Sequence, residues 1–405
     1  MSTALNIAVV GAGMGGLTAA TLLARQGHAV TLFDQFAAPR PVGSGLVVQP
    51  VGQQVLSSLG ALDAALAQGN KVWRMQGHEA ENGRQILDAH YGTPGGQSFG
   101  LAIHRAALFD ALFGVLPSQV NVVTNARVVA ARQGRLTFQS GPETGAFDLI
   151  VDGSGATSQL SPMRARVLPY GAIWGWVDWP ANAGLDAGML HQMYRRADRM
   201  MGIMPMGLVP GETGQKAAVF WSLPKDGHEA WRQKGIAAWH KEIAALWPAG
   251  AAIFAQIRDP DQMTMARYSH GMLRKPNGDG IAYIGDAAHR ASPQLGQGAN
   301  MALLDAHALA AALQQARGNI GLALGYYAAA RRWYVRVYQA MSWAFTPQYQ
   351  SDSRILPWLR DHVLSPLTFL PPLQYMLTRV VRGDLLPVSG SLPPPRDALP
   401  VSGDA

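Results

Sequence analysis

The stretch Asn6–Gly16, NIAVVGAGMGG, runs from apolar residues into glycines at positions 11, 13, 15 and 16. Asn6–Val10 has the composition of a buried strand, Met14–Gln26 that of a helix, and His28–Phe33 that of a second strand. Gly11 allows the tight turn out of the first strand. Gly13 lets backbone approach a pyrophosphate, and Gly16 lets the helix lie close on the strand. The phosphates then face the positive end of the helix that starts at Met14 and Gly15. Asp34 closes the second strand 23 residues after Gly11, where a carboxylate accepts hydrogen bonds from ribose hydroxyls. Strand, helix, strand and acid in register predict a dinucleotide-binding βαβ unit.

A second glycine-rich stretch, Gly285–Asn300, reads GDAAHRASPQLGQGAN and follows the apolar run GIAYI. The strand delivers Asp286 to its C-terminal end. Pro293, Gly296 and Gly298 shape a loop that enters a helix beginning Gly298, Ala299, Asn300. Backbone N–H groups at such a helix start stabilise negative charge on a bound ring.

Together the two stretches resemble the FAD-dependent aromatic hydroxylases, single-component flavoprotein monooxygenases of the p-hydroxybenzoate hydroxylase type. Their second FAD motif is GDAAHxxxPxxGxGxN, and every fixed position is matched. The resemblance implies that Asp286 contacts the ribityl chain or the nearby pyrophosphate, and that Gly298 to Asn300 approach the pyrimidine end of the flavin. It implies an FAD-phosphate contact for Arg105, an approach to adenine by Val128, and a flexible segment beside the flavin at Gly43–Gly45, with Gly45 close to the ring. His289 is structural in that motif. The implied reaction is hydroxylation of an aromatic or other apolar, electron-rich small molecule. NAD(P)H reduces FAD, and O2 is used by way of a flavin C4a-hydroperoxide. No catalytic base can be named.

One departure stands in Asp148–Leu160, DLIVDGSGATSQL. The family's turn here carries an Asp and often an Arg, whose places are taken by Ser154 and Thr157. Asp152, two residues earlier, is a candidate to assume part of the missing role. The expectation is normal FAD binding with weak, altered or substrate-gated engagement of NAD(P)H. A DGSG turn also resembles those of flavin halogenases and geranylgeranyl-type reductases. The PQLGQGAN loop, and the absence of lysine before Lys71, favour a hydroxylase.

The remainder of the chain bounds this reading. Its 405 residues suit two intimately packed domains, and 48% hydrophobic against 15% charged residues supports a sizeable core. A net charge of +7 comes from scattered arginines with no aromatic-interleaved stripe, which argues against nucleic acid as a partner. Without cysteine there is neither a disulfide nor a thiolate metal site, and the histidines have no ligand spacing, so no metal is expected. No signal peptide is recognised, and a cytoplasmic address is the default.

The fold class expected is α/β: a Rossmann-like FAD-binding domain interrupted by an antiparallel-sheet substrate domain, plus a C-terminal helical segment. The FAD-binding domain is assigned residues 1–72, 98–165 and 271–350, and the substrate domain 73–97 and 166–270. Residues 351–385 form a helical extension and 386–405 a disordered tail. Helices are expected over Gly52–Leu66 and Gly227–Trp247. If the substrate sheet covers the flavin, Trp174, Trp176, Met204, Met206 and Trp221 are the candidates to line an apolar pocket. The apolar segment Leu356–Val381 is read as a cap on the FAD domain or a homodimer interface. Peripheral membrane contact, with an accessory rather than catalytic role, is the disfavoured alternative.

Overall fold

The computed structural model describes residues 4–37, 44–92 and 97–388. Gly43, part of the 73–97 assignment and the tail from 389 onward lie outside the described residues. A six-stranded sheet is built around Asn6–Val10, which pairs in parallel with Ala29–Phe33 on one side and Leu149–Asp152 on the other. Asn121–Val123 and Ile281–Tyr283 extend it in parallel, and Asn277–Gly278 closes one edge antiparallel. Strands buried on both faces must be nearly continuous in apolar residues, which is why IAVV and LIV carry no polar residue and VTLF only the half-buried Thr31. The helices Met14–Arg25 and Gly298–Gln315 pack against this sheet and each other, with Gly15 against Ala302 and Ile284.

The second sheet has eight strands and is largely antiparallel. Its order runs His289–Arg290, Thr264–Met272, Arg166–Asp178, Lys216–Pro224, Arg199–Gly207, Met189–Arg195, Arg74–Glu79, Gln85–His90. Alternation splits its side chains between two cores. One face carries Ile173, Met201 and Trp221 beneath helices that contribute Trp231, Trp239 and Trp247. The other carries Met204, Met206, Ala218 and Phe220, and packs with Val72 and Ala102 of the cofactor half. Gln85–His90 forms one edge of the sheet and His289–Arg290 the opposite edge. His289 itself pairs with Met272, so the second glycine motif is joined to the large sheet by backbone hydrogen bonds.

The expected helix over Gly52–Leu66 is two helices, Pro50–Leu59 and Leu62–Gln68. Gly60 ends the first in the left-handed conformation, φ 72°, which glycine adopts without steric cost. Gly235, φ 80°, likewise divides Gly227–Trp247 into His228–Lys234 and Ile236–Leu246. The 30-residue helix Ile320–Tyr349 is capped by Asn319, whose side chain accepts from the Leu322 N–H.

After it, Ile355–Leu359, a π-helical turn Arg360–Leu364 and Ser365–Thr368 follow one another, then the helix Pro371–Arg382. This segment is pinned to both halves. Tyr170 donates to Asp352, Arg382 to the Tyr91 carbonyl, and Gln297 to the Val380 carbonyl. Leu386 and Val388, expected in a disordered tail, are half-buried against the main core. Among the described residues no helix is long and apolar enough to cross a membrane.

Candidate active site

The first glycine motif opens onto a cavity of about 270 Å³ at the C-terminal ends of the parallel strands. Gly11, Gly13, Met14, Asp34, Arg105 and Val128 all line it, together with Gly153, Ser154 and Thr157. The motif's glycines divide their tasks. A Cβ on Gly13 would meet nothing within 4 Å, so the backbone there is bare toward the cavity. A Cβ on Gly16 would stand 1.8 Å from the Gly11 carbonyl oxygen, and one on Gly11, at φ 95°, would strike Ser154 Cα at 2.7 Å. Gly15 and Gly16 therefore serve packing and are absent from the cavity wall.

Asp34 is buried and oriented by the loop it serves. Its Oδ2 accepts from the Ala12 N–H at 2.8 Å and its Oδ1 from the Phe36 N–H at 2.9 Å. The carboxylate is thus held rigid at the cavity edge. A diphosphate over bare glycine backbone and a helix start, with an oriented acid beside it, is what this donor and acceptor set fits. The residues present fit FAD.

Arg105 opens the helix Arg105–Phe113 and makes no ion pair within 4 Å among the described residues. Burial lowers its pKa, opposed by the nearby Asp286 carboxylate and Tyr268. A half-buried cation that faces a cavity and has a carboxylate nearby but no ion pair with it is suited to an anionic ligand. Asp286 itself is exposed at the turn after Ile281–Tyr283.

Pro293 and Gly298 are exposed and Ala299 half-buried, so the N–H groups at the helix start remain open. Asn300 differs. It is fully buried, its Oδ1 accepting from the Gln49 N–H at 2.8 Å and its Nδ2 donating to the Val47 carbonyl at 3.2 Å. Its side chain clamps the second motif to the strand Gly45–Val48. His289 is buried as well, bonded through Nε2 to Asp305 at 2.7 Å, with Arg331 Nε on the other carboxylate oxygen at 2.7 Å. This is a structural triad under the motif, built on the Arg331–Asp305 ion pair.

The turn after Leu149–Asp152 corrects one expectation. Asp152 is fully buried, and Ser154 and Ser158 each donate a hydroxyl to it at 2.6 Å. Burial raises its pKa, opposed by those serine hydrogen bonds. Asp152 does not reach the cavity and cannot replace the acid absent at position 154.

The apolar candidates separate by strand parity. Trp174 pairs across from Phe220, and Trp176 from Ala218, on the face that meets the cofactor half. Met204 and Met206 share that face and close on Gly45, where a Cβ would stand 2.7 Å from the Met206 sulfur and 3.0 Å from Met204 Cε. Trp221 pairs with Ile173 and points the other way, 6.0 Å from Trp239, so it belongs to the helix-covered core. Two neighbours of the tryptophans escaped the sequence reading. Tyr268 accepts a hydrogen bond from Trp174 Nε1 at 2.8 Å, and burial raises its hydroxyl pKa. His104, its pKa lowered by burial and then by Arg105, lies edge-on to Trp176 at 6.4 Å. A lone Tyr and His in strands carry no spacing signal, and only the sheet register brings them here.

Comparison with known proteins agrees with this geometry. Residues 161–331 match a family model described as an FAD binding domain, and residues 9–40 one described as an NAD(P)-binding Rossmann-like domain. A 2-heptyl-3-hydroxy-4(1H)-quinolone synthase of Mycobacteroides abscessus is 30% identical over 76% of this chain and 81% of its own. The chain belongs to the FAD-dependent aromatic monooxygenases. This monooxygenase is also 27% identical to the aurachin C monooxygenase/isomerase of Stigmatella aurantiaca, over 90% of this chain and 94% of that one. Its fold matches that of Klebsiella pneumoniae HpxO complexed with FAD and uric acid, with a TM-score of 0.78 at 20% identity over 94% and 98% of the two chains. FAD and NAD(P)H are accordingly its cofactors, and its reaction is aromatic hydroxylation.

Proposed function

We propose that this monooxygenase hydroxylates an uncharged, electron-rich aromatic heterocycle of quinolone size, bound against Trp174 and Trp176. The single observation that carries the reading is the make-up of the sheet face that meets the cofactor half. Trp174, Trp176, Met204, Met206 and Phe220 supply flat and polarizable surface. The cation on that face, Lys216, lies 5.3 Å from the Trp176 ring and is matched by Asp178 at 2.6 Å, so the pair leaves no net charge for an ionic substrate. The name of the M. abscessus relative, a quinolone synthase, supports the same class.

FAD, reduced by NAD(P)H, supplies activation of O2 and delivery of one oxygen atom. The protein binds and orients. Backbone from Gly11 to Met14 and the Arg105 guanidinium would hold the phosphates, and Asp34 the ribose. Val128 would lie by the adenine. Asp286 would meet the chain between phosphate and ring, and Gly298, Ala299 and the backbone of Asn300 the pyrimidine edge. Pro293 would shape that loop, and the Gly45 backbone, packed on Met204 and Met206, would approach the ring's side.

Trp174 and Trp176 would stack on the substrate and exclude water. Tyr268 keeps its phenolic proton because burial raises its pKa. With its oxygen already accepting from Trp174, the Tyr268 O–H is left to donate to a ring carbonyl or hydroxyl of the substrate.

The test is NAD(P)H oxidation and product mass over a panel of phenols, anilines, hydroxybenzoates and quinolones. A quinolone that accelerates oxidation and gains one oxygen supports the reading. Preference for a carboxylated ring would overturn it. We further read the molecule as a cytoplasmic homodimer, in keeping with the exposed Trp343, Ile355 and Trp358; a monomer mass by light scattering removes that part.

A further inference from the structure

A second, smaller cavity of about 30 Å³ shares no lining residue with the cofactor cavity. It lies where the strand end Met272 to Pro276 meets the helix Ile320–Tyr349, beside His289 and Asp305 of the buried triad. Four arginines line it: Arg274, Arg331, Arg332 and Arg336. Its single carboxylate, Asp305, is spent. Oδ1 accepts from Arg331 Nε, and Oδ2 accepts from the Gly285 N–H at 2.8 Å and bonds His289 at 2.7 Å.

Arg331 is 2% exposed, and its Nη2 is a buried donor without a hydrogen-bond partner among the described residues. Its guanidinium also lies 4.6 Å from the Tyr334 ring, which fixes its plane. Arg274, Arg332 and Arg336 make no ion pair with an acid among the described residues. Arg332 and Arg336 instead flank Trp333 at 5.7 and 5.6 Å. Positive charge thus converges on a cavity whose one acid is already neutralised, and a buried N–H there asks for an acceptor. The volume admits one or two water-sized species, which favours a monatomic ion over a tetrahedral oxyanion.

We propose that this cavity is a halide-binding site, taking one chloride-sized anion on Arg331 Nη2 within the field of the other three arginines. Arg331 holds Asp305, and Asp305 holds the backbone of Gly285, the residue before Asp286. An anion on Arg331 therefore stiffens the turn that carries the second flavin motif, from outside the active site.

The test uses the holoenzyme. Its unfolding midpoint is followed in sodium chloride and bromide against sodium gluconate at matched ionic strength, and crystals are soaked in bromide. The expected result is a saturable rise with chloride and bromide alone, and an anomalous bromide peak at hydrogen-bond distance from Arg331 Nη2. In a chain carrying R332Q and R336Q, which leave the triad in place, saturation should need about tenfold more halide. Superposed halide and gluconate curves, bromide only on the outer surface, or a double variant that responds as the parent does would each overturn the proposal. Arg331→Gln serves as a further arm, and its failure to fold would leave those three readouts intact.

Discussion

The Ser154 hydroxyl donates to Oδ1 of Asp152 at 2.6 Å, and the Ser154 backbone N–H approaches the same oxygen at 3.1 Å. Ser154, at the place where the resemblance led us to expect an acid, thus serves a buried carboxylate and only borders the cofactor cavity. Ser154→Ala should remove one donor from Asp152, raise its pKa further and cost about 1–3 kcal/mol of stability. Ser154→Asp should do worse, because a second carboxylate beside a fully buried one is repelled. Denaturant unfolding and stopped-flow flavin reduction separate the effects. An Asp variant that unfolds as the parent does and is reduced faster by NAD(P)H would show that position 154 acts on the reductant.

The triad predicts a pH window. Burial raises the Asp305 pKa, yet the attraction of His289 and Arg331 and the hydrogen bonds from His289 and Gly285 outweigh it and leave the value lowered. A folded pKa below the unfolded one adds stability above the unfolded value of about 4, lost as pH falls through the folded value. Asp305→Asn should remove that acid-side loss and, by leaving the buried Arg331 guanidinium without its carboxylate, cost about 3–5 kcal/mol at neutral pH. Urea unfolding of both chains between acid and neutral pH reads this directly.

Strand parity predicts opposite phenotypes for two tryptophans. Trp176→Ala should raise the substrate KM about tenfold while FAD content stays at parent level. Trp221→Ala empties a site in the helix-covered core and should cost about 3–5 kcal/mol, with an unchanged KM at a temperature where the fold survives. Steady-state kinetics beside thermal unfolding will distinguish them.

Arg105→Ala should weaken FAD by about tenfold or more, and Arg105→Lys should recover only part, since a point charge lacks the planar fork. Quenching of flavin fluorescence on titrating the apoprotein with FAD measures both. Equal affinity of all three proteins would place the phosphates elsewhere.

Much of this was legible in the residues because two motifs obey strict backbone demands. Gly11 at φ 95° and Gly16 under the Gly11 carbonyl admit nothing larger, so their spacing is a reliable sign. Asp34 was readable for a related reason, since it stands just past the end of a strand, whereas Arg105 came only from the resemblance. Strand boundaries alone do not show which face of a sheet a residue takes, and Trp221 was misplaced on that account. Its direction depends on pairing with Ile173 and Met201, 48 and 20 positions back along the chain. Asp152 was misjudged because a carboxylate in sequence does not reveal that Ser154 and Ser158 enclose it. The helices split at Gly60 and Gly235 were within reach, since an interior glycine often ends a helix. Tyr268, His104 and the triad arise from long-range register, which no short window contains.

Arg382 donates to the carbonyl of Tyr91 across 291 positions, and Gln297 to that of Val380 across 83. Val381 sits in the same core as Val72 and Met204. The contacts that close the nucleotide half thus join segments far apart along the chain, and none of them can form until the intervening residues have been brought together. Closure of that kind makes slow folding the natural expectation.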